Sequence, residues 1–139
     1  MAHLRDVCAL TLEAAKAVAE AAERFALERH WTVAVAVVDA AGGLVLFHCL
    51  EDTQPASQDI AVLKARTAAR FHRPTKALED GIAAGRAGLL SLPDIVALEG
   101  GLPIRSEGKV IGAVGVSGMT SPEDGQVAAA GLAALGLTP

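Results

Sequence analysis

Residues 99 to 118 read EGGLPIRSEGKVIGAVGVSG, and the fold turns on how this stretch is read. Much of it alternates with the two-residue period of a β-strand, and Ser106-Glu107-Gly108 supplies turn chemistry in its middle, so the segment reads as a hairpin. Yet it holds six glycines, which weaken a strand because they add backbone entropy and no packing surface. Along its second arm one face carries Val110, Gly112, Val114 and Val116, and the other Ile111, Ala113, Gly115 and Ser117. Two explanations stand: close packing of a helix on a bare sheet face, or close approach of a ligand.

Working outward, TVAVAVVD (32–39) reads as a strand with Val33, Val35 and Val37 on one face and Thr32, Ala34 and Ala36 on the other. Ala40 to Gly43 form a turn, and LVLFHC (44–49) returns as its hairpin partner. IVALEGG (95–101) is expected to be a further strand. Leu4, Val7, Cys8, Thr11, Ala15, Val18, Ala19, Ala22 and Phe25 carry helical spacing, which predicts a helix over 4–29 with a narrow, alanine-lined face. A second helix is predicted over 60–71, ended by Arg73-Pro74. Thr75 is expected to cap a short third helix, and Ser121, followed by Pro122, to cap a last one. The order α-β-β-α-α-β-β-β-α predicts an α+β domain over 1–139, with five antiparallel strands flanked by helices.

Aromatic residues make up 3% of the chain and apolar residues 52%, so Ala, Val, Leu and Gly must fill the core. A net charge of −4 with no basic patch argues against nucleic acid and anionic membranes as partners. No apolar run approaches the ~20 residues that span a bilayer. The charged first helix is no signal peptide, which leads us to expect a cytoplasmic protein with Cys8 and Cys49 reduced. Gly108-Lys109-Val110 is not a phosphate-binding loop, and Gly115-Val116-Ser117-Gly118-Met119 fails the nucleophile elbow at its last position. No His, Cys and carboxylate spacing predicts a metal site.

VAVVDAAGGLVLFH, DIAVLKARTAARFHRPT and GGLPIRSEGKVIGAVGVSG, in that order, resemble the GlcG/HbpS-like family (DUF336, haem-degrading), which includes the C-terminal domain of the PduO adenosyltransferases. The resemblance covers nearly the whole chain. It implies a profilin-like five-stranded antiparallel sheet flanked by helices and assembly as a homo-oligomer. It also implies a small-molecule ligand, with haem or another tetrapyrrole first in line. Where the family has His-Arg-Met-Asp after the second strand, this chain has His48-Cys49-Leu50-Glu51-Asp52.

Each candidate site residue has a structural and a functional reading. His48 is either a half-buried sheet histidine or a ligand contact and axial haem ligand. His72 and Arg73 complement a helix C-terminus or, with Thr75 beside them, meet a ligand, Arg73 as a carboxylate clamp. Lys64 sits inside an apolar helix face, where it pairs with Asp39 or Glu99 or meets a substrate carboxylate or haem propionate. Glu99-Gly100-Gly101 is a tight bend or an oxyanion cradle. Ser117 donates to the sheet or to a ligand, and the helix start at Ser121 is a cap or an anion site. Two further functions remain open. One is an enzyme on a small carboxylated or enolic metabolite, with Lys64 or Arg73 holding the carboxylate and His48 or Glu99 moving a proton. The other is an accessory subunit whose glycines serve assembly.

Overall fold

Thr11 decides where the first helix begins. In a computed structural model that describes residues 3–139, its backbone is extended and its side chain accepts the Ala14 N–H. Helix α1 therefore runs Leu12–Glu28, not from residue 4. The capping hydroxyl wins over the helical spacing of Leu4 and Val7, and residues 4 to 11 form an irregular strap. Strand β1 (Ala34–Asp39) and strand β2 (Leu44–Cys49) make the first hairpin. Helix α2 (Ala56–Phe71) starts one turn earlier than its apolar spacing suggests and ends at His72 in the left-handed conformation. Helix α3 (Thr75–Ala83) follows at once, and a 3-10 turn covers Ala87–Ser91.

The expected strand over 95–101 does not form. Two of its backbone donors are met by side chains instead of by a neighbouring strand: Val96 N–H donates to the Thr67 hydroxyl, and Glu99 N–H to the Glu79 carboxylate. Strand β3 (Gly101–Ser106) and strand β4 (Lys109–Ser117) form the second hairpin, around Glu107-Gly108. Among the described residues the sheet thus has four strands, not five, all antiparallel in the order β2-β1-β4-β3. Helix α4 (Ser121–Ala133) is capped one residue earlier than expected. The Thr120 side chain accepts the Glu123 N–H and the Glu123 carboxylate accepts the Thr120 N–H.

The two faces of the sheet differ in residue size, as the alternation of 32–39 implies. Val33, Val35, Val37, Val114, Val116 and Ile104 pack against α1 and α4. Ala34, Ala36, Val38 and Ala113 pack against Ala61, Ala65, Ala68 and Ala69 of α2. Gly115 lies beneath α2, where an added Cβ would fall on the Ala61 carbonyl and the Ala65 amide. The glycine therefore serves helix-on-sheet contact. At Gly112, on the opposite face, an added Cβ would fall on the Val38 carbonyl of β1, with Leu10 Cδ2 of the strap 3.0 Å away. Among the described residues no helix is long and apolar enough to cross a membrane.

Candidate functional site

Lys64 is 2% exposed on the sheet-facing side of α2. A buried ammonium needs hydrogen-bond acceptors and a counter-charge, and Nζ donates to the Val116 carbonyl at 3.0 Å and to Asp124 Oδ2 at 3.1 Å. Its partner is thus Asp124 in the first turns of α4, neither Asp39 nor Glu99. Asp39 is occupied by the Ala41 and Gly43 amides of the β1–β2 turn. Asp124 Oδ1 also accepts the Met119 N–H at 2.9 Å. Burial pushes the Asp124 carboxyl above its ordinary value, against the opposing pull of Lys64 and the Met119 amide.

Gly100 lies next to this pair. Its φ of +135° is a backbone state that side chains rarely adopt, and an added Cβ would stand 2.8 Å from Lys64 Nζ. Gly101 N–H is not free to hold an oxyanion, because it donates to Thr75 Oγ at 2.9 Å. The Thr75 hydroxyl donates in turn to the Gly101 carbonyl. Thr75 is therefore a buried tie between α3 and β3, and Pro74 takes the cap position. In front of the glycine turn lies a cavity of about 430 Å³, bounded by Lys76 of α3, Glu99, Leu102, and Gly125 and Gln126 of α4.

A second and larger cavity, about 820 Å³, lies where the strap passes the turns at the other end of the sheet. The broken helix creates it: Arg5 and Cys8 come down beside Arg105 and Lys109 of the second hairpin, and His72 enters from the end of α2. Arg105 Nη2 donates to the His72 carbonyl at 2.7 Å, which ties the hairpin to that residue. Cys8 Sγ stands 3.7 Å from the Ser106 hydroxyl.

The remaining sequence candidates lie apart. His48 sits on edge strand β2, directly across from Val35, with Nδ1 3.4 Å from a Glu23 carboxylate oxygen of α1. It lines neither cavity. Arg73 donates to the Phe71 carbonyl and borders a third hollow beside Arg86 and Leu89. Ser117 is buried and donates to Ser57 at the start of α2. Ser121 is the first residue of α4, and the capping role belongs to Thr120. Among the described residues no three His, Cys, Asp or Glu side chains gather to hold a metal ion. Sequence reasoning missed Asp124 and Cys8 as site residues. Asp124 lies 60 positions from Lys64, and Cys8 reaches its cavity only because the helix is capped at Thr11.

A family model described as haem degrading protein HbpS-like matches residues 10–133. Protein GlcG of Escherichia coli K12 is 40% identical over 108 residues, which is 78% of this chain and 81% of the relative. The crystal structure of a double mutant of Streptomyces reticuli HbpS superimposes with a TM-score of 0.92 at 35% identity, covering 99% of this chain and 94% of that one. A structure described as the PduOC:heme complex superimposes with a TM-score of 0.83 at 27% identity, covering 91% of this chain and 95% of that one.

Proposed function

We propose, from the premise that the chain belongs to the HbpS-like family, that it is a small-ligand-binding protein whose ligand is haem or a related tetrapyrrole, held in the cavity under the strap. The donor set of that cavity carries the reading. Haem iron is held by His, Cys, Met or Tyr, and here His72 and Cys8 line one cavity. Arg5, Arg105 and Lys109, set among Asp6, Asp39 and Glu107 on the same walls, offer the propionates cationic partners. At about 820 Å³ the cavity lies in the upper part of the ~300–1,000 Å³ range of small-ligand sites. Among the described residues no His, Cys, Met or Tyr lines the cavity at the glycine turn, and those residues offer iron nothing. The PduOC:heme complex among the structural neighbours supports the same ligand class. Bound haem would supply a redox-active iron; the chain supplies ligation by His72 or Cys8 and charge pairing by its three cations.

Titration with ferric haem is expected to give a shifted Soret band. His72→Asn keeps a residue that tolerates the left-handed cap but removes the imidazole. It should weaken binding by more than the ~10–100-fold that outer-sphere changes cost at metal sites. His48→Ala should bind as the parent does. Equal affinity in the parent and in His72→Asn combined with Cys8→Ser overturns the reading, as does the absence of any Soret shift. The proposal extends to a homo-oligomer, in keeping with Leu4, Val7 and Leu90, which are largely exposed. Light scattering on the purified chain reads its mass.

A further inference from the structure

The cavity at the glycine turn has a chemistry of its own, unlike the one under the strap. Its walls are mostly apolar, with Leu102, Pro122 and Ala129 among them, and among the described residues its one half-buried charged side chain is Glu99. The Glu99 amide is held by Glu79, so the residue is fixed at its backbone. Among the described residues its carboxylate accepts no hydrogen bond and makes no ion pair; it rests against bare backbone at Gly125, where an added Cβ would stand 2.6 Å from Oε2. Lys76 at the rim is committed elsewhere, with Nζ 2.9 and 3.2 Å from the two Asp80 oxygens. Hydrogen bonding and charge from Asp80, and after them the charges of Glu99 and Glu79, hold its ammonium above the ordinary value. Among the described side chains around Lys76, three carboxylates (Glu79, Asp80 and Glu99) face one ammonium.

Each feature selects against most ligands. An anion would enter a field already negative. A neutral apolar molecule would desolvate the Glu99 carboxylate and give nothing back. A small alkylammonium satisfies both parts: its chain covers the apolar wall and its N–H groups make charge-assisted bonds to Glu99. We infer that this cavity is a separate binding site for a small organic ammonium ion, with Glu99 as its counter-ion. At about 430 Å³ it suits a short-chain amine.

The test uses the full chain and n-butylammonium, with butan-1-ol and butyrate as matched neutral and anionic probes, followed by amide chemical shifts. Butylammonium is expected to bind with an affinity in the millimolar class and to shift the signals of residues 99–101 and 125–129. Butanol and butyrate should bind at least ~10-fold more weakly, the factor set by about 1.4 kcal/mol. Glu99→Gln removes the charge from a carboxylate with no protein partner, so the fold should persist while affinity falls ~10-fold or more. Gly125→Ala tests the site again from the helix side. It favours the helix by ~1 kcal/mol but puts a methyl group where the carboxylate rests, so butylammonium affinity should fall while stability does not. His72→Asn should leave butylammonium binding unchanged, which separates this site from the one under the strap. Butyrate binding as tightly as butylammonium, undiminished binding in Glu99→Gln, or no saturable shift with butylammonium overturns the inference.

Discussion

Lys64→Met is expected to lower the unfolding free energy by about 3–5 kcal/mol, the usual result of removing one member of a buried ion pair. The cause is not the lost attraction alone. Asp124 is 2% exposed, and without the ammonium its carboxylate would stand among apolar atoms with only backbone donors. Adding Asp124→Asn should recover part of the loss, because Asn removes the stranded charge and can still accept the Met119 N–H now bound by Oδ1. The double variant would then be more stable than Lys64→Met alone. The pH dependence has a definite sign. Burial already raises the Asp124 carboxyl above 3.8, and loss of Lys64 raises it further. The folded variant then binds this proton more tightly than the unfolded chain does. The protonated fold is fully favoured below the ordinary value and loses that advantage as pH rises through the raised one. The deficit of Lys64→Met should therefore shrink on acidification. Urea unfolding at two pH values with an unchanged slope reads all of this. A single variant within 1 kcal/mol of the parent, or a deficit that grows in acid, would contradict the pairing.

Gly115→Val carries the second large effect, and here intrinsic preference and packing disagree in sign. Valine favours strands over glycine by up to ~1 kcal/mol. At this position, though, the new Cβ meets backbone atoms of α2, at the Ala61 carbonyl and the Ala65 amide. Backbone cannot turn aside as a side chain can. Helix α2 must rise from the sheet, opening the contacts of Ala34, Ala36 and Ala113 with Ala65, Ala68 and Ala69. Overpacking of this kind costs about 1–3 kcal/mol and occasionally more; with a whole helix displaced we expect ~3 kcal/mol or above. Gly88→Ala is the control, since nothing lies within 4 Å of its added Cβ. Its effect should stay within ~0.5 kcal/mol. A Gly115→Val protein as stable as its parent would show that α2 does not rest on bare main chain.

The sheet was largely legible from residue type. Alternating bulky and small residues in 32–39 identified the strand and its bulky and small faces, and Ser106-Glu107-Gly108 located the second hairpin. Residues 95–101 show where alternation stops being informative. Their apolar run is strand-like, but whether a backbone N–H meets a strand or a side chain depends on Thr67 and Glu79, which lie 29 and 20 positions away. The start of α1 shows a local competitor: a threonine hydroxyl ended a pattern that apolar spacing alone extends to Leu4. For the sites, the sequence placed Lys64 inside an apolar helix face and read Glu99-Gly100-Gly101 as a tight bend or an oxyanion cradle; in the structure Lys64 is buried against Asp124 and the Gly101 N–H is taken by Thr75. It could not supply Asp124, nor separate His48, on the outer edge strand, from His72, which lines a cavity. Those facts come from strand order and crossing elements, and neither has a period.

Ferric haem is paramagnetic and broadens nearby amide resonances, so one spectrum of the haem-loaded chain addresses the proposed site most directly. Selective loss of signals from residues 5–10, 39–41 and 105–111, with those of 99–101 and 122–129 intact, is the predicted result. The reverse pattern, with the glycine turn and the start of α4 erased and the strap untouched, would contradict it.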